Sequence, residues 1–206
     1  MFNSVNQSNY AEAIMALQAN YSKELDDMIQ DFEQQPDSWT ICASIIENYE
    51  NPTPVKASLS MLRRAVCKYW FSFDENQRDD LRAFTQQTAI KWANEGRTED
   101  WMNSIDGALV ATIQQEWPNS DSDFFLILLD TATQSPQMLL NNLKIFSTFL
   151  DTTIENPTDI LTFRQMAIRI GLEKQSVDIF NQLMNLLHTD IDPSAHAEQV
   201  LRFALD

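Results

Sequence analysis

Residues 111–130 read Ala-Thr-Ile-Gln-Gln-Glu-Trp-Pro-Asn-Ser-Asp-Ser-Asp-Phe-Phe-Leu-Ile-Leu-Leu-Asp. The stretch describes the end of one helix, a sharp corner and the start of another. Pro118 has no backbone N–H and disfavours helix at Trp117, so the first helix stops there. Asn119, Ser120 and Asp121 offer side-chain oxygens that can cap the orphan N–H groups of the helix that follows. That helix opens with six consecutive apolar residues, 124–129, and is expected to be covered by other protein on most sides. The unit is an antiparallel helix pair with Trp117 packed inside a Trp-Pro corner. Much of the remaining chain reads as copies of it.

Upstream, the helix that ends at the corner starts after Thr98, with Glu99 and Asp100 placed to suit the dipole of its first turn. It carries Trp101, Ile105, Leu109, Ile113 and Trp117 at every fourth position. Before it, Ser72 and Glu75 have capping-box spacing and open a helix bearing Leu81, Phe84, Thr88 and Trp92, which Gly96 ends. Earlier still, Thr53 as N-cap and Pro54 at the first helical position start a helix with Val55, Leu59, Leu62, Val66 and Tyr69 on one face. The first segments are helices over about 9–19 and 21–35. Pro36-Asp37-Ser38 turns into a third, which carries Trp39, Cys42, Ile45, Ile46 and Tyr49.

Downstream, Ser135-Pro136 opens a helix with Leu139, Leu143, Phe146, Leu150 and Ile154. A long helical region over about 159–187 follows, with an interruption expected near Gly171. Asp192-Pro193 then caps a last helix containing Ala197, Val200, Leu201 and Ala204. The helix-opening corners recur at unequal intervals of roughly 40 to 60 residues, the scale of a two-helix HEAT repeat. The fold class is therefore all-α: one HEAT-type solenoid over 1–206. Its helix pairs are expected near 9–50, 54–95, 98–134 and 136–188, with an incomplete one at 193–206. The apolar face of that last helix leads to the expectation of a longer superhelix.

Composition agrees. Hydrophobic residues make up 44% of the chain and glycines number only three, which suits helices joined by capped corners better than tight β-turns. The net charge of −16 opposes direct binding to nucleic acid or anionic lipid and attracts basic partners. No apolar run approaches the ~18 residues of a membrane span. Cys42 and Cys67 fall in apolar helical patterns and read as reduced thiols.

The chemistry of a catalytic or metal centre is not apparent. His188 and His196 stand away from the cysteines, and His188 reads as a cap on a helix C-terminus. Asp26-Asp27 and Asp79-Asp80 are neighbours that diverge on a helix. Phosphate loops and nucleophile elbows are absent from the sequence. The inventory points to a binding protein that needs no cofactor, not to an enzyme.

Four stretches resemble the exportins, nuclear export receptors of the importin-β superfamily. Pro36-Asp37-Ser38-Trp39-Thr40 is similar to the first exportin corner. Residues 55–70, ending Cys67-Lys68-Tyr69-Trp70, are similar to the helix after it. Gln114-Gln115-Glu116-Trp117-Pro118 is similar to a Lys-Gln-Glu-Trp-Pro helix end, and Leu201-Arg202-Phe203 to part of a later helix. Where the family has a second Trp-Pro, this chain has Asn119-Ser120-Asp121-Ser122-Asp123.

The resemblance implies a receptor that shuttles between nucleus and cytoplasm and binds the GTP form of the small GTPase Ran. Nucleoporins would be further partners, and cargo would bind only through later repeats. In such receptors the second helix of each repeat faces Ran. Here those helices are near 38–49, 74–94 and 123–133, and helix phase puts Glu47, Asn48, Asp79, Arg82, Gln86, Asp123 and Asp130 off their apolar faces. The competing reading is a helical-repeat scaffold for an unrelated protein partner.

Overall fold

The computed structural model describes residues 7–33, 35, 38–119, 123–132, 136–155 and 160–187. They form α1 (Gln7–Ala19), α2 (Lys23–Glu33), α3 (Ser38–Asn48), α4 (Pro52–Tyr69), α5 (Glu75–Asn94), α6 (Glu99–Glu116), α7 (Phe124–Thr131), α8 (Pro136–Leu150) and α9 (Thr162–Leu187). A 3-10 turn, Trp70–Ser72, follows α4, and a π-turn, Asp151–Glu155, follows α8. Among the described residues there is no strand. The expected caps at Asp37, Ser120, Asp121 and Ser135, the helix after Pro193, and both histidines lie outside the described residues.

The architecture is an all-α, HEAT-like solenoid. α4, α6 and α8 form one row, α4 against α6 and α6 against α8, while α3 packs on α4, α5 on α6 and α8, and α7 on α8 and α9. α6 is the most enclosed element, since all but one of residues 105–115 are buried. Each Ile, Leu or Val removed from water in this way contributes ~1.5–3 kcal/mol. Two exposed ion pairs, Lys56 with Asp100 and Lys144 with Glu99 (3.0 Å), tie α4 and α8 to the first turn of α6. Such pairs add little, ~1 kcal/mol at most.

Local signals set the helix ends, sometimes one register away from the expected one. α4 starts at Pro52, and its N-cap is Asn51, whose Oδ1 accepts from the Thr53 N–H at 3.0 Å. Thr53 is inside the helix, which corrects the expected start. α5 is opened by Asp74 and Gln77 in a reciprocal capping box of 2.9 and 3.0 Å, not by Ser72 and Glu75. Ser72 belongs to the 3-10 turn, where buried Trp70 and Phe73 stack edge to face and carry the chain past the earlier register. Gly96 does terminate the region after α5, at φ +65°, where glycine bears no Cβ penalty. Tyr69 is at the margin of the α4 face, 36% exposed.

The Trp-Pro corner is the best-packed feature. Trp117 is fully buried, its N–H donates to the Ile113 carbonyl at 2.8 Å, and the Trp117–Pro118 peptide is cis. Its ring meets Phe125 of α7 and Phe149 of α8 edge to face at 5.1 and 5.9 Å. α9 closes over it. Buried Arg164 donates from Nη2 to the carbonyls of Trp117 (2.6 Å) and Gln114 (3.0 Å), supplying donors to carbonyls at a helix end that has none of its own. Gly171 does not interrupt α9, which is continuous from Thr162 to Leu187. The glycine is there for space. A Cβ at this position would lie 2.8 Å from Pro118 Cγ and 2.9 Å from Trp117 Cη2. Trp39 is also buried, on α3.

Among the described residues, apolar surface remains open on α7 and α9. α7 is not covered all round, because Ile127 is 56% exposed beside buried Phe124, Phe125 and Leu129. On α9, Phe163, Met166, Ile170, Val177 and Phe180 are exposed at helical spacing, and Phe163 leans on exposed Phe71 with ring centroids 6.3 Å apart.

Candidate partner-binding surface

The seven residues expected to face a partner divide into two groups. Glu47 and Asn48 are exposed at the end of α3, where the Asn48 amide folds back onto the Ser44 carbonyl at 2.8 Å. They line an open groove of about 340 Å³ that extends to α5 and the start of α6. Its other wall holds Trp92 and Trp101, edge to face at 5.1 Å. The Arg97 guanidinium lies 5.1 Å from the Trp101 ring centroid and pairs with Glu95 at 3.0 Å. This cation–π pairing fixes the arginine against the aromatic wall.

The other five lie along α5 and α7. Asp79, Arg82 and Gln86 recur at three- and four-residue spacing, on one stripe of α5 that continues to Ile90. Arg82 is bound on both sides, to Asp79 and to Glu116 of α6 at 2.5 Å. It therefore braces α5 against α6. Asp123 is at the N-cap position of α7 and Asp130 two turns later, both exposed and on the same side of that short helix.

Gln86 faces the space between the two helices. It lines a groove of about 300 Å³ bounded by α5, α7 and α8, in which Ile90 and Ile127 are both exposed. Sequence reading passed over these two isoleucines: Ile127 is hidden inside the apolar run 124–129, and Ile90 falls outside the apolar face of its helix. The only signal was phase, since Ile90 continues the polar stripe of Asp79, Arg82 and Gln86.

One buried ionisable group adjoins this region. Asp106 of α6 is 2% exposed, its carboxylate shut away from water. Burial pushes its pKa up to about 7, and the charge of Lys144 and the amide of Asn141, both on α8, offset only part of that. Among the described residues, no group of three histidine, cysteine or acidic side chains could hold a metal ion. Among them too, no helix is long and apolar enough to cross a membrane.

A solenoid of helix pairs with grooves between its helices offers an extended surface of the kind repeat proteins use for binding. Residues 26–91, covering most of α2, all of α3 and α4 and most of α5, match the family described as the importin-beta N-terminal domain. The sequence is similar to exportin-1 of Schizosaccharomyces pombe, 24% identical over 120 residues, which is 56% of this chain and 11% of that protein. It is similar to exportin-1 of Drosophila melanogaster at 19% identity, over 93% of this chain and 19% of the other. EXPORTIN 1B of Arabidopsis thaliana is 21% identical over 87% of this chain and 17% of its own length. The family match thus lies in the first half of the chain, and similarity to the exportins extends along most of its length. The chain spans about a tenth to a fifth of the length of these curated relatives.

Proposed function

We propose that this chain is the Ran-facing segment of an exportin-1-like nuclear export receptor. The observation that carries the reading is the combination of an importin-β N-terminal domain over 26–91 with exportin-1 similarity continuing well past it. The surface suits that role. Asp79, Gln86, Asp123 and Asp130 are exposed on α5 and α7, and the net charge of −16 favours encounter with a basic partner. The receptor acts by binding, moves between nucleus and cytoplasm, meets nucleoporins in transit, and takes cargo on repeats beyond this segment.

The test is titration with Ran loaded with a GTP analogue or with GDP, at low and moderate salt. Preferential, salt-sensitive binding of the GTP form is expected. Equal binding of both forms would instead support a helical scaffold with generic acidic attraction, because transport requires that the nucleotide state be distinguished.

A further inference from the structure

We propose that the groove between α5, α7 and α8 is a socket for an apolar side chain presented on a basic surface of the partner. This rests on the Ran reading of the α5–α7 surface and says how that surface grips. Ile90 is 43% and Ile127 56% exposed on its walls, while Phe124, Met138 and Ile145, which also line it, are buried. Its volume of about 300 Å³ is at the small end for ligand pockets, so it suits one inserted side chain better than a cofactor.

The surroundings select the partner's charge. Asp123 and Asp130 are exposed on the flank of α7 beside Ile127. Two of the nearby cations are already engaged, Arg82 by Asp79 and Glu116, and Lys144 by Glu99. An apolar anchor ringed by basic groups meets both demands, with the buried centre and polar rim usual in protein interfaces. A purely apolar helix would meet only one of them.

The experiment is an isoleucine-methyl NMR titration of the protein with Ran carrying a GTP analogue, alongside the variants Ile90→Ser and Ile127→Asp. The methyl resonances of Ile90 and Ile127 should move on binding while those of fully buried Ile45 and Ile105 stay. Ile127→Asp should weaken binding at least about tenfold with the melting temperature unchanged, since the side chain is exposed. Binding of undiminished strength by both variants, with the two methyls unmoved, overturns the socket and leaves the Ran reading standing. If Ran binds in neither nucleotide state, that reading falls, and the same spectra with a synthetic leucine–lysine amphipathic helix decide the socket. Shifts confined to Ile90 and Ile127 that vanish in Ile127→Asp support it. Shifts at Ile170 of α9 instead, or none, overturn it.

Discussion

Gly171 of α9 lies directly against the ring of Pro118, so close that a Cβ on the glycine would come within 2.8 Å of Pro118 Cγ. A glycine inside a 26-residue helix is thereby explained by the corner it receives. Replacing a helical glycine by alanine ordinarily stabilises by ~0.5–1 kcal/mol. Here the clash with a proline ring and a buried indole should reverse the sign, and Gly171→Ala should destabilise by ~1–3 kcal/mol. Gly107 provides the comparison, because the nearest atom to its added Cβ is an Arg63 guanidinium nitrogen at 3.8 Å. Gly107→Ala should leave stability unchanged or raise it. Urea melts of the two variants check the contrast, and equal responses would remove the packing role given to Gly171.

Trp117 and Arg164 hold the same corner by different physics. Trp117→Ala removes a fully buried ring that contacts two phenylalanines and should cost ~3–5 kcal/mol. Arg164→Met keeps much of the bulk but leaves the Gln114 and Trp117 carbonyls without their guanidinium donor. Loss of these charge-assisted bonds should cost roughly 1.5–3 kcal/mol. Because both changes act on one corner, the double variant should lose less than the sum. Strict additivity in denaturant melts would show that α9 and the corner are independent.

Asp106 makes stability depend on pH in a direction opposite to that of a salt-bridged carboxylate. In the folded chain it keeps its proton to about pH 7, whereas the unfolded chain loses it near the ordinary value of 3.8. The unfolded state therefore binds fewer protons across that window, and the contribution falls as pH rises through it, levelling off above 7. Asp106→Asn mimics the protonated form. It should match the parent protein near pH 4 and exceed it at pH 8 by roughly 2–4 kcal/mol. Melting curves at the two pH values check this, and a variant no more stable at pH 8 would mean that the carboxylate is solvated or paired.

Charge reversal tests the helix phase of the partner surface. Asp79→Lys and Asp123→Lys should each weaken binding of Ran–GTP and flatten its dependence on salt. Asp79 pairs with Arg82 and Asp123 is at the N-cap of α7, so each reversal should also lower stability modestly, by ~1 kcal/mol, and binding is compared at a temperature where both variants stay folded. Binding that persists unaltered in both variants would spare the receptor reading and discard these residues.

The helices were legible because their apolar spacing and corner residues are local. The departures come where two registers compete or where the partner is distant in sequence. Asn51-Pro52-Thr53-Pro54 contains two overlapping cap-proline pairs, and only the backbone position decides for Asn51. Ser72 and Asp74 both have capping spacing, and the packing of Trp70 with Phe73 selects the second. Gly171 reads as a helix breaker until Pro118 is placed beside it. Ile127 reads as covered within the apolar run 124–129, because sequence records which residues are apolar and not what covers them.

The guanidinium of Arg164 completes the end of α6 from a position about fifty residues further along the chain. During synthesis, then, α6 emerges with its final carbonyls open, and they acquire their donor only when the start of α9 has been made. Until that moment Trp117 has no lid and the corner has a wet side. The last turn of α6 should therefore fray and exchange its amide hydrogens together with the first turns of α9, as one cooperative unit that is contiguous in space and split in sequence.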